Sequence, residues 1–175
     1  MELKCKKISA LTAIPFPLCA IARYYMKELI AAIDEVVKYG LQPNLKTDDR
    51  DKQLEKNLVK IYSLYFDISF EFDDNNYPDF DKQTSTVRQN VETNFPEFGF
   101  YKKVSDINDI DDLHKGHIGD AIDDLTDIVI DLWETKWRIE TNSLADGLRF
   151  FELIFNSHTQ QHVIDLLNFM KQRNG

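Results

Sequence analysis

The run GHIGDAIDDLTDIVIDLWETKWR, residues 116–138, decides how the chain is read. At about 100° per residue, Ile118, Ala121, Ile122, Leu125, Val129 and Leu132 gather on one side of a helix. Asp120, Asp123, Asp124, Asp127, Asp131 and Glu134 fill an arc of about 100° almost opposite. The pattern predicts an amphipathic helix over 117–141. Its acidic arc has two readings. A solvated face is the simpler, because like charges one turn apart repel by only a few tenths of a kcal/mol in water. The other is a cation site, since carboxylates at i, i+4 and i+7 share a divalent ion when a second helix covers them. The wheel gives no sign of cover, so the expectation is a solvated face. Trp133 and Trp137 flank it and are expected to pack on a neighbour.

The next helix is predicted over 143–172, with Asn142 or Ser143 as its cap. Leu144, Leu148, Phe151, Phe155, Leu166 and Phe169 form its apolar stripe. His158 and His162, at i and i+4 in FNSHTQQH, fall in that stripe and are expected to face the interior. Two imidazoles at this spacing also clamp zinc or iron in H-E-x-x-H enzymes. Here the intervening residues are Thr-Gln-Gln, without the glutamate base. Core histidines bonded to tyrosines or acids are the plainer reading. A metal reading draws on His158, His162, Asp124, Asp127 and Asp131. His114 and His117 are expected at the surface.

Toward the N-terminus, Leu18, Ile21, Tyr25, Leu29, Ile33 and Val36 mark a helix entered at Pro15 and Pro17 and closed by Gly40. Leu54, Leu58, Ile61, Tyr62 and Tyr65 mark a second, capped by Thr47 or Asp48. TSTVRQNVETNF is a short third helix stopped by Pro96. Between them, FEFDDNNYPDFDKQ (70–83) has turn chemistry, and Phe70, Phe72, Tyr77 and Phe80 are expected to tuck onto the core. Another turn of helix is expected near 106–113. No convincing strand alternation is visible. The fold class is all-α: a single-domain bundle of five to six helices over 15–175, with an ordered aromatic loop and residues 1–14 as a flexible leader.

The chain of 175 residues carries a net charge of −9. That balance repels nucleic-acid phosphate and anionic lipid, and no basic stripe offsets it, so no nucleic acid is expected. No run of 18 apolar residues exists, so no membrane span is expected. Cys5 and Cys19 form no CxxC and fit a reducing cytoplasm, although the first residues faintly resemble a signal peptide.

Two stretches resemble an uncharacterised bacterial family of small helical proteins, a domain of unknown function common in the Bacteroidetes. IGDAIDDLTDIVIDL is similar to its helix of form D-D-L-x-D-I-x-x-D-L, through Asp123, Asp124, Leu125, Asp127, Ile128, Asp131 and Leu132. FFELIFNSHTQQHVIDLLNFM is similar to its last helix, through Phe151, Phe155, His158 and His162. The commoner form has a Trp-Gly pair where this chain has Thr159 and Gln160. The resemblance implies a helical fold and no assigned activity.

Two function classes remain. The first is a binding, interaction or accessory protein of the immunity kind with a possible protein partner, favoured because no nucleophile motif, phosphate loop or catalytic signature is present. The alternative is a metal-dependent hydrolase. It would use the HxxxH pair, or helix carboxylates as all-α nucleotide pyrophosphohydrolases do, with Glu28, Asp34 and Glu35 as facing partners. The E-x-x-E element of those enzymes is absent.

Overall fold

Helix α1 (Phe16–Leu41) packs against α2 (Arg50–Tyr65) and α3 (Thr84–Asn94). The computed structural model describes residues 16–70, 72–73, 75–82, 84–104 and 117–174. The leader over 1–14, the turn near 106–113 and His114 lie outside them. After α3 come two short strands, β1 (Phe100–Lys103) and β2 (His117–Asp120), paired antiparallel with Tyr101 opposite Gly119. Then follow α4 (Ala121–Thr141), α5 (Leu144–Ile154), a π turn (Phe155–Thr159) and α6 (Gln160–Asn174). The last three run on without a break. The architecture is a single helical bundle with one small ribbon.

The expected apolar faces make the core: Leu29, Ile33 and Val36 from α1, Leu54, Leu58 and Ile61 from α2, Val87 and Val91 from α3. Each side chain of this kind contributes about 1.5–3 kcal/mol when fully buried. Leu125, Ile128, Val129 and Leu132 of α4 meet them, and Leu148, Phe151, Phe155, Val163 and Leu166 close the other side. Among the described residues no helix is long and apolar enough to cross a membrane.

Local differences from the sequence reading have physical causes. Gly40 does not close α1 but lies inside it, because a Cβ there would sit 2.4 Å from Val129 Cγ1 and 2.8 Å from Val87 Cγ1. Its missing side chain lets three helices approach. Neither Thr47 nor Asp48 caps α2; Asp49 occupies that position in the left-handed region at φ 56° and makes no side-chain cap bond. Ser143 does cap α5, its Oγ accepting from Asp146 N at 3.0 Å. The expected helix start at 117 becomes strand β2, and α4 begins at Ala121 with Asp120 accepting from Ile122 N at 3.0 Å. Strands of four residues are too short for an alternation to stand out. Phe80 packs on Trp133 and Trp137 at 4.9 and 5.5 Å between ring centroids. Phe70 also packs on the core, but Phe72 is 70% exposed, with Arg149 over its ring.

The largest correction concerns α4. It is the central helix, with α1 and α3 packed on it as well as α5, the π turn and α6. Its acidic arc is therefore not a solvated face: Asp124, Asp131 and Glu134 are each only 4% exposed. An ionised carboxylate so placed costs several kcal/mol unless it is paired and hydrogen-bonded. Glu134 pairs with Arg138 and Lys82, whereas the partners of Asp124 and Asp131 come from the last helix and from the ribbon.

Candidate metal centre

Asp124, Asp127 and Asp131 lie on one side of α4, at the spacing that stacks side chains along a helix. α6 and the π turn run antiparallel across that side, so Asp131 meets His158 and Asp124 meets His162. His158 Nδ1 donates to Asp131 Oδ2 at 2.8 Å, and His162 Nδ1 donates to Asp124 Oδ1 at 2.8 Å. Each carboxylate has a second donor. Tyr101 OH donates to Asp124 Oδ2 at 2.5 Å, and Thr159 Oγ1 to Asp131 Oδ2 at 2.7 Å.

The π turn makes the second arrangement feasible. Gln160 N–H bonds back to Phe155 O, one residue further than in an α-helix. Adjacent residues of a regular helix diverge by about 100°. Here His158 and Thr159 converge on the same oxygen of Asp131. Such π turns occur frequently at functional sites.

A carboxylate only accepts, so both Nδ1 atoms carry protons, and in the neutral rings both Nε2 atoms carry lone pairs. The two Nε2 atoms are 3.3 Å apart, and Asp127 Oδ2 lies 3.6 Å from His162 Nε2. Donor atoms of Asp127, His158 and His162 all fall within 4.8 Å of one another. Three acceptors thus lie close together, and a proton or a cation among them relieves their mutual repulsion. A proton on His162 serves in part: its bond to Asp124 raises its pKa above the usual histidine value against the opposing effect of burial, with help from Asp127 and Asp131. Burial raises the pKa of Asp127, while His162 and His158 pull it down.

The distances suit a metal ion. With zinc–ligand bonds of about 2.05 Å, atoms 3.3 and 3.6 Å apart subtend angles of about 107° and 123° at the ion. Both are near tetrahedral; an octahedral ion with bonds near 2.1 Å brings neighbouring ligands to about 3.0 Å. The remaining edge, from His158 to Asp127, is no longer than 4.8 Å. The site is layered. The side chains of His158, His162 and Asp127 are 44%, 21% and 32% exposed, whereas Asp124 and Asp131 behind them are 5% exposed. Accessible ligands backed by buried carboxylates on their far nitrogens are how histidine metal sites are commonly built.

All five residues singled out from the sequence therefore meet in one place, but in two roles. His158, His162 and Asp127 form the close group, while Asp124 and Asp131 each give one oxygen to an imidazole. The expectation of histidines bonded to acids holds, but neither ring is sequestered in the core: the His158 side chain is 44% exposed and that of His162 21%. The proposed facing acids of α1 are elsewhere, Glu28 paired with Lys60, Asp34 with Lys136 and Glu35 with Lys38. Asp120 and Asp123 bind Arg88, Glu134 binds Arg138, and His117 is exposed on β2. Reading the sequence missed Thr159 and Tyr101. Thr159 was visible only as a neighbour of His158, and nothing in the sequence linked Tyr101 to Asp124. No protein family, curated protein or solved structure matches the chain.

Proposed function

We propose that the protein is a mononuclear metalloprotein of hydrolytic type, holding one divalent transition-metal ion, zinc first, on His158, His162 and Asp127. The observation that carries this reading is the pair of imidazoles whose Nδ1 atoms are anchored on buried carboxylates while their Nε2 atoms converge 3.3 Å apart beside Asp127. Three protein ligands leave a position for water or substrate, where the ion polarises a substrate oxygen or activates water. Imidazole nitrogens suit zinc, cobalt and iron, whereas magnesium prefers oxygen ligands throughout. The carboxylate-only magnesium site of the pyrophosphohydrolases gains no support, because Asp124 and Asp131 are already committed to histidines.

Titration calorimetry on chelator-stripped protein tests this with zinc, cobalt, manganese and magnesium. One zinc or cobalt per chain is expected, at affinity far above that for magnesium, with binding lost in His158→Ala and in His162→Ala. Absence of stoichiometric zinc and cobalt binding at micromolar concentrations would remove the proposal. A magnesium preference that survives both histidine variants would restore the carboxylate reading.

The interaction reading retains one supporting feature. A groove of about 490 Å³ between α2 and α6 is lined by Val59, Tyr62, Ser63, Phe66, Ile164 and Leu167. Val59 and Phe66 are exposed there. Exposed apolar surface of this kind marks binding sites when it is contiguous.

A further inference from the structure

The ribbon β1–β2 carries Tyr101 into the seam between α4 and α6, while Lys103 of the same strand pairs with Asp165 of α6 at 3.4 Å. We propose that Tyr101 is a positioning residue of the metal site: its hydroxyl holds Asp124, and Asp124 in turn fixes His162 with its proton on Nδ1 and its Nε2 lone pair toward the ion. This rests on the metal reading above and adds to it a component from a separate element.

The geometry is specific. Tyr101 OH takes one oxygen of Asp124 and His162 Nδ1 takes the other, so the carboxylate is clamped between two donors. Asp124 is almost wholly buried, so water does not readily replace the phenol. Without that donor, one oxygen of a buried anion loses its partner, and the carboxylate turns or takes up a proton to compensate. Either response releases His162. Tyr101 meets the demands of the role. Burial first, then the bond to Asp124, holds its pKa far above the ordinary phenol value, so it remains a donor throughout the working pH range.

The ribbon is shaped for the purpose. Gly119 lies opposite Tyr101 in the pairing register, and a Cβ there would fall 2.3 Å from the ring Cζ and 2.6 Å from the hydroxyl. The missing side chain is the space the phenol occupies. Phe169 of α6 supports the same ring at 5.5 Å. His158 has its own relay through Asp131, but that one is built within the last helix from Thr159. Only the His162 relay takes its second donor from an element outside α4 and the last helix.

Two full-length variants test the proposal. Tyr101→Phe keeps the ring and removes the hydroxyl; Gly119→Ala keeps the hydroxyl and displaces it. Zinc affinity is read by calorimetry against a competing chelator, and the His162 tautomer of the metal-free chain by ring-nitrogen NMR. Both variants are expected to bind zinc about 10–100-fold more weakly than wild type, the range for loss of such a support. Both are also expected to lose the uniform Nδ1–H signature of His162, which a merely stabilising ring would leave in place. Wild-type binding with Tyr101→Phe within threefold of it would overturn the role of Tyr101 and leave the metal reading standing. Failure of wild type to bind zinc would overturn the metal reading. In that event an unchanged His162 tautomer in Tyr101→Phe would overturn the positioning role as well. Should Tyr101→Phe fold poorly, Gly119→Ala carries the same decision.

Discussion

Asp131→Asn separates a carboxylate that orients a ligand from one that merely fills space. Asp131 Oδ2 accepts from both His158 Nδ1 and Thr159 Oγ1, at 2.8 and 2.7 Å. An asparagine carbonyl placed there accepts both bonds with nearly the same volume. Each charge-assisted bond of about 1.5–3 kcal/mol becomes a neutral one of about 1 kcal/mol. Against that loss, the chain no longer buries an ionised group, which offsets an amount of similar size. Net stability of the metal-free protein should change by about 1 kcal/mol or less, moving Tm by about 2–4 °C in a chain of this size. The effect on metal is different in kind. The amide cannot stabilise the positive charge that His158 acquires on coordination, and such supports are worth a factor of about 10–100 in affinity. That is about 1.4–2.7 kcal/mol. Calorimetry with zinc and a thermal scan of the metal-free chain measure the two quantities on one preparation. Unchanged zinc affinity in a folded variant would refute the view that Asp131 orients His158. A drop of many degrees in Tm with no separate loss of affinity would show the carboxylate to be structural only.

Zinc at about 100 times its dissociation constant should stabilise the fold by about 2.7 kcal/mol, a rise in Tm of about 5–11 °C that His162→Ala abolishes, as read by differential scanning calorimetry. Because the pKa of His162 is raised in the fold, its protonated form adds stability that is complete below the unfolded value of about 6.5 and is lost as pH rises through the folded value. The same proton competes with the ion, so zinc affinity should climb with pH across that window; titrations from pH 5.5 to 8.5, a range set around the histidine value of about 6.5, check both signs. Gly40→Ala forces a methyl group against Val129 and Val87. Overpacking of this kind costs about 1–3 kcal/mol, so Tm should fall by about 2–12 °C with no change in zinc affinity per folded chain.

Much of the bundle was legible in the periodicity. The apolar stripes of α1, α2 and α4, the cap at Ser143 and the continuity of the last helix all follow from local chemistry acting over one or two turns. The candidate ligands were legible too, as residue types at coordinating spacing. What they do was not. A helical wheel assigns Asp124 and Asp131 to one side of α4, but it carries no information on whether water or another helix occupies that side. A polar arc opposite an apolar one usually means solvent, and here that inference failed because α4 is surrounded. The same blindness sent the histidines inward, since a stripe on one helix cannot show where its partner ends. The π turn shifts the register after Phe155, and no residue in FNSHT announces it.

Composition, period and cap chemistry are properties of neighbouring residues, and so they settled the helices, their apolar faces and a short roster of groups fit for metal chemistry. The meeting of Tyr101 with Asp124, and of both acids with both imidazoles, depends on how helices and ribbon dock. That docking sets the burial of each charge, and burial determines whether a carboxylate faces water or holds a histidine for an ion.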